Sequence, residues 1–436
     1  MGWHTGTATD YKDLLSQLVL IATRQGATSL DSIVAAGTGY AVGDILSVNA
    51  GTPTTHPTKI RVLTVSAGVI LTAKLQEAGA YTTPPVDPVA TTVIPPGVGT
   101  GATFTLAYAS NGWTALRDTT YTFEGDATHK EVVLQGVGGG SDSILVGVRT
   151  FARTVGADAT RAWVLAAMTG FTAGTTYPTL QAGESPGWDA AVVGGGCFVP
   201  LATLLHTTVT LSFELSVTSR RIVGRVRPSA TIAAWVPFYL GWMNPFATAS
   251  EFPYPILVCG AATNRDALFT DVTLAEVTGF GEMIAKVGLF GPALFRQPDS
   301  EWIYAANSTG SAGSRGARVT YGFYPGMESA LKDGIVGDGN FAWHSIILHS
   351  GDPGPATLVM KPTPGTGAAF YPLVPITLVQ SSGIDFDVLA EMDGCFWVTG
   401  SGLGDQDTVS VGNDRYRVTR SGHRNQLYSF FAIKEA

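Results

Sequence analysis

The sequence predicts a mainly β protein: a short N-terminal helix, a small antiparallel β module, then one or two β-sandwich-like domains. Three observations carry this reading. Charged residues are only 14% of the chain, against roughly 25% in an average soluble domain. Glycine supplies 53 of 436 residues, well above the usual ~7%. Apolar runs are short, alternate with period two and are punctuated by Gly and Pro. Hydrophobic residues make up 45%, enough for a sizeable core, and the length suggests about two to three domains. The organisation reads as a helical segment at 1–33, a β module at 34–110, a central β domain at 111–270 and a C-terminal β domain at 271–436. The last two read equally well as one continuous unit.

The helix is expected over Thr9–Arg24. Thr9 or Asp10 can cap its start, with Asp13 in the first turn. Leu14, Leu18 and Ile21 share a face with Leu15 and Ala22 beside it, and Gly26 offers a stop. Such a stripe must dock on the chain's own β domain or on a neighbour. In the second case, deleting residues 1–26 would impair assembly and spare the β domains. From Val34 the period becomes two: Ile45–Asn49, Ile60–Val65, Val69–Leu71, Ala73–Leu75 and Thr103–Leu106 are strands between Gly/Pro turns. Asn111-Gly112-Trp113 reads as a boundary turn.

Further strands are expected at Glu131–Leu134, Ile144–Val148, Trp163–Leu165, Thr208–Leu215, Ile222–Val226, Ile256–Cys259, Val319–Tyr324, Trp343–Leu348 and Leu358–Lys361. Val374–Gln380, Val388–Glu391, Cys395–Thr399, Val409–Val411, Tyr416–Val418 and Tyr428–Ile433 complete the series. Leu165–Met168 and Ile284–Leu289 are ambiguous between helix and strand. A parallel α/β fold would need a helix between most strands, and the pattern does not supply them.

Lys+Arg 26 against Asp+Glu 34 gives a net charge of −8. The chain therefore lacks the overall basic footprint of a nucleic-acid binder, and no nucleic-acid partner is expected. One local cluster, Arg220, Arg221, Arg225 and Arg227, reads as a polar strand edge or an interface patch. Cys197, Cys259 and Cys395 are scattered among apolar neighbours without metal-ligand spacing. They read as buried thiols of a protein assembled in a reducing cytosol. The start Met1–Thr5 has neither the basic nor the apolar region of a signal peptide. The uncharged span Pro228–Ser250 is long enough to cross a bilayer, but Pro237 and Pro245 interrupt it. No membrane span is expected.

Trp235, Phe238, Tyr239, Trp242, Phe252 and Tyr254 crowd a Pro-rich stretch. The plain reading is an internal mini-core beneath a loop, since most aromatic rings are buried. The sharper reading joins them with Arg220 and Arg221 as a subunit interface, because Trp, Tyr, Phe and Arg are enriched there.

The sequence displays no nucleophile elbow, zinc-protease helix or phosphate loop, and no cofactor is expected. His344 and His349 are five apart on a strand-like run, hence on opposite faces. Asp385/Asp387 and Asp405/Asp407 place carboxylates on one face. They fit solvated loops first, and Ca²⁺ or a glycosidase acid pair second, with Glu391/Asp393 a further candidate pair.

Gly37-Thr38-Gly39-Tyr40-Ala41-Val42-Gly43-Asp44, followed by Gly79-Ala80-Tyr81 and Gly99-Thr100-Gly101-Ala102-Thr103-Phe104, is similar to a small β module of tailed-bacteriophage particle proteins. In that module Gly39 and Gly43 allow turns, Tyr40 and Val42 pack inward and Asp44 bonds loop amides. Ser219-Arg220-Arg221, Tyr239-Leu240-Gly241, Phe252-Pro253-Tyr254-Pro255 and Asp393–Gly400 with Phe431–Lys434 also resemble phage structural proteins. The resemblance implies a non-enzymatic virion subunit of the tail, baseplate, collar or fibre apparatus. Such a subunit assembles in the host cytoplasm as a symmetric oligomer, with copies of itself and other virion proteins as partners. The alternatives are a capsid decoration protein or a module binding host-surface glycan, with Trp188, Trp235 or Trp302 as stacking platforms.

Overall fold

A computed structural model describes residues 2–53, 56–138, 143–155, 158–174, 185, 197–201, 210–228, 235–260, 293–296, 302–305, 320–325, 373–381, 386–398, 403–412, 414–420 and 430–435. The protein is mainly β, with one helix among the described residues and several antiparallel sheets.

Within the segment expected to be helical, residues 2–8 form a strand, β1 (Gly2–Ala8). Helix α1 (Tyr11–Thr23) follows. The Asp10 carboxylate accepts from the amides of Lys12 (2.7 Å) and Asp13 (2.8 Å), and the Asp13 carboxylate accepts from the Thr9 amide (2.8 Å). These bonds close the first turn reciprocally. Asp10→Ala is expected to cost about 1 kcal/mol in a urea titration, and Asp10→Asn much less. Gly26 is not the stop. The chain leaves α1 at Arg24, which is already extended, and runs directly into β2 (Gln25–Thr38). The boundary expected at 33/34 therefore falls inside a strand.

The small module is completed by β3 (Ile45–Val48), β4 (Thr52–Pro53), β5 (Lys59–Ser66), β6 (Val69–Glu77), β7 (Tyr81–Thr83), β8 (Val89–Val93) and β9 (Thr100–Ser110). Its strand order is β4-β7-β2-β9-β8-β3-β5-β6. Tyr40, Leu46, Ile60, Val62 and Phe104 are among the residues that fill its own core. Asp44 accepts from the Ala41 amide (2.9 Å) as expected. Val42 differs: it stands 65% exposed, because it sits in a turn where strand alternation no longer dictates direction.

β10 (Thr114–Phe123), β11 (Asp126–Val137), β12 (Ser143–Val155), β13 (Asp158–Met168) and β14 (Cys197–Pro200) form a five-stranded antiparallel meander. The ambiguous run Leu165–Met168 belongs to β13. The next strands, β15 (Leu211–Val217), β16 (Arg221–Arg227), β17 (Val236–Pro245) and β18 (Ile256–Cys259), form the facing layer, with β1 paired along β15. The two layers share one core: the rings of Trp163 and Phe238 meet edge-on at 5.6 Å. Helix α1 closes that core from the side, with Leu14, Leu15, Leu18, Ile21 and Ala22 at most 1% exposed. Trp163 Nε1 donates to the Tyr11 carbonyl (2.8 Å) and Asn111 Nδ2 to the Ile21 carbonyl (2.8 Å). The stripe thus docks on this chain's own body.

β19 (Ala293–Arg296), β20 (Trp302–Ala305) and β21 (Thr320–Pro325) extend the facing layer and its C-terminal continuation. β22 (Val374–Ser381), β23 (Phe386–Trp397), β24 (Thr408–Val411), β25 (Asp414–Arg420) and β26 (Phe430–Glu435) complete the chain. β23 joins the body through β17, with Met243 opposite Met392. The run Val388–Glu391 and residues 395–397 of the run Cys395–Thr399, read as separate, belong to one strand that passes through Gly394 at φ +64. A side chain there would stand 2.1 Å from Arg221 Nη2, so glycine is what lets that guanidinium lie against the strand. The expected strands at Trp343–Leu348 and Leu358–Lys361, and the ambiguous run Ile284–Leu289, lie outside the described residues. Among the described residues no helix is long and apolar enough to cross a membrane, and Val236–Pro245 is a strand.

Candidate interaction surface

The eight residues expected to form a subunit interface divide sharply. Arg220 is exposed and Tyr254 half-buried. Arg221, Trp235, Phe238, Tyr239, Trp242 and Phe252 are buried within this single chain. They pack inward, as the plain reading expects, but Phe238, Tyr239 and Trp242 do so on strand β17 rather than in a separate mini-core beneath a loop. Phe238 and Trp242 belong to the main core. The Tyr239 hydroxyl donates to the Trp242 carbonyl and accepts from the Asp393 amide (3.3 Å). Burial pushes the Tyr239 hydroxyl well above its ordinary pKa.

Two of the four clustered arginines, Arg221 and Arg225, are buried, while Arg220 is exposed and Arg227 half-buried. Arg221 Nε pairs with Asp393 (2.8 Å). Arg225, fully buried, donates to Glu214 (2.7 Å), Asp405 (3.0 Å), the Val418 carbonyl (2.9 Å) and Thr419 Oγ1 (2.6 Å). Its guanidinium lies 4.4 Å from the Trp235 ring centroid. Trp235 is therefore not available as a glycan platform. Trp188 lies outside the described residues, as do His344, His349 and Asp385, and the side chains of Trp302 and Asp387 are not described. Asp405 and Asp407, expected as solvated loop carboxylates, have separate tasks: Asp405 faces Arg225, while Asp407 accepts from the Gly404 amide (2.6 Å). Of Glu391 and Asp393, Asp393 is the Arg221 partner. The thiols of Cys197, Cys259 and Cys395 are buried and form no disulfide; burial pushes Cys395 up to about 12. Among the described residues no group of three His, Cys, Asp or Glu side chains could hold a metal ion.

The surface that the sequence reading missed is the outer end of the small module. Seven of the ten exposed large apolar side chains among the described residues lie in the module, and three of them, Val42, Ile94 and Val98, stand on its outer turns. Three turns converge there. The Tyr40 amide donates to Gly68 O (2.9 Å), and a Cβ on Gly99 or Gly97 would meet the Tyr40 ring or Asp44. Val42 and Val98 project from these turns, 65% and 80% exposed, beside Ile94. Leu63 and Leu71 stand on the β5–β6 hairpin that leads to them. At ~3.3 Å per residue, β5 carries this end about 25 Å from the module's base.

That base is the module's seat on the body. A Cβ on Gly2 would lie 2.0 Å from Ala78 Cβ, and one on Gly6 would lie 2.5 Å from the Phe213 ring and 2.9 Å from the His56 ring. These glycines let the module touch the β1 backbone. Thr5 Oγ1 donates to Glu77 (2.8 Å), Lys59 pairs with Glu77 (3.0 Å), His56 Nε2 bonds Gln17 of α1 (2.9 Å) and Arg415 donates to Gln76 (3.0 Å). No family model and no curated protein matches the chain.

Proposed function

We propose that this chain is a non-enzymatic structural subunit of a tailed-bacteriophage particle, built into the tail, baseplate, collar or fibre apparatus. It assembles as a symmetric oligomer through the outer end of its small β module. The observation that carries the reading is the concentration of exposed apolar side chains on that end, remote from the seat. Scattered single apolar residues need no explanation, but a cluster on converging turns marks a contact surface. Support also comes from the phage-like motif itself, whose Gly39, Tyr40, Gly43 and Asp44 build those turns. A low charged fraction of 14% leaves little self-repulsion to oppose assembly.

The test is the oligomeric state. Light scattering on the purified chain is expected to show a closed oligomer, and Val42→Asp with Val98→Asp is expected to yield a folded monomer. Cryo-electron microscopy of intact particles would place the subunit. A wild-type chain that stays monomeric at tens of micromolar and is missing from particles would count against the proposal.

A further inference from the structure

We propose that the seat of the small module is an acid-labile latch: protonation of His4 and His56 releases the module from the body while both keep their sheets. The module seats along the free edge of β1, where the Ala78 amide donates to the Trp3 carbonyl (3.4 Å). Gly2, His4 and Gly6 alternate along β1 and meet it from one face, while Thr5 meets Glu77 from the other. His4 is 1% exposed and neither ring nitrogen has a hydrogen-bond partner. His56 is 6% exposed, stacked edge-on against Phe213 at 5.8 Å and held by Gln17.

The surroundings favour uncharged rings. β15 presents Phe213 and Leu215, and α1 presents the neutral Gln17. The positive charge that faces the pair is Lys59 on β5; against it, a hydrogen bond to the Thr5 backbone raises His56. Glu77 on β6 is the nearby carboxylate, and it is already engaged by Lys59 and Thr5. Glu214 lies opposite Thr5, on the other face of β1, where Arg225 and Arg417 hold it. Desolvation first, and neighbouring positive charge second, lower His4 to about 3 and His56 to about 4.

A histidine whose seated pKa is lowered binds its proton preferentially once released. The seat is therefore at full strength above pH ~6.5 and weakens as the pH falls towards 4. With an ordinary pKa of ~6.5 in the released form, the released-to-seated ratio at pH 5 rises about 30-fold per histidine, and about 10³-fold for the pair, over pH 7.5. Only two connections tie the module to the body: Arg24, between α1 and β2, and Asn111-Gly112, between β9 and β10. Gly112 is at φ +86.

The experiment follows limited proteolysis at residues 108–114, together with small-angle scattering and far-ultraviolet circular dichroism, from pH 7.5 to 4.5. Wild type is expected to gain cleavage and radius of gyration below pH ~5.5 while its β signal persists. His4→Phe removes a charge site whose nitrogens bond nothing, so it is expected to fold at pH 7.5 and to keep only the roughly 30-fold response of His56. His4→Phe with His56→Gln is expected to lose the response. His129, buried between α1 and the meander and lowered to about 4, makes the body acid-sensitive too; His129→Gln is therefore the background control. A module that stays seated at pH 5, a response unchanged in the double variant, or release that coincides with loss of the β signal would each overturn the latch.

Discussion

A chain lacking residues 1–26 is expected to fail to form its β sandwich. The deletion removes β1, which covers the edge of β15 through seven paired residues, and α1, which supplies one wall of the main core. Leu14, Leu15, Leu18 and Ile21 are each at most 1% exposed. Replacing one such leucine with alanine typically costs ~2–5 kcal/mol, comparable with much of a domain's net stability of about 5–15 kcal/mol. Leu18→Ala should therefore lower the urea midpoint strongly with an unchanged m-value. The truncated chain should be insoluble, or should expose hydrophobic surface. A soluble truncated chain with native near-ultraviolet dichroism would show that the helix is an accessory. Sparing of the β domains was expected only for a helix docked on a neighbour, and α1 docks on its own body.

Arg225→Met is expected to be the most damaging single change at a charged position. It leaves Glu214 and Asp405, at 12% and 14% side-chain exposure, without the cation between them. Removing one partner of a buried pair costs ~3–5 kcal/mol. The loss should also loosen the C-terminal strands, because Arg225 bonds Val418 and Thr419 of β25 from its place in β16. Replacing Glu214 and Asp405 by leucine in the same chain should recover much of the stability, since apolar residues can replace a buried ionic group at little cost. Denaturant titrations of the single and triple variants decide it. Equal midpoints for wild type and Arg225→Met would refute the prediction.

Much of the strand layout was legible because alternation is a local property. Ile256–Cys259 coincides with β18, and the runs at 131–134, 144–148 and 222–226 fall inside β11, β12 and β16. β1 was not legible: Gly-Trp-His-Thr-Gly-Thr-Ala has no apolar alternation, and its strand character comes from β15 and from two glycines that admit the module. The arginines misled for a related reason. The counter-ions of Arg221 and Arg225 lie 11, 172 and 180 residues away, so half of a charge run in one dimension becomes buried pairs in three. Of the two residues that the resembled module turns inward, Tyr40 is buried and Val42 is exposed, because Val42 sits within the turn itself. The seat histidines carry no sequence signal, since His4 and His56 meet only after β1 and the module have found each other.

The pairing of β1 with β15 also sets an order for biosynthesis. The partner of the first strand is made more than 200 residues later, and at ~5–20 residues per second a ribosome needs roughly 10–40 s to deliver it. Throughout that interval the nascent chain carries an unmatched edge and the leucines of α1 without their full wall. The meander between them, β10 to β14, joins only neighbours in sequence, so it can form during the wait and offer the helix its first shelter.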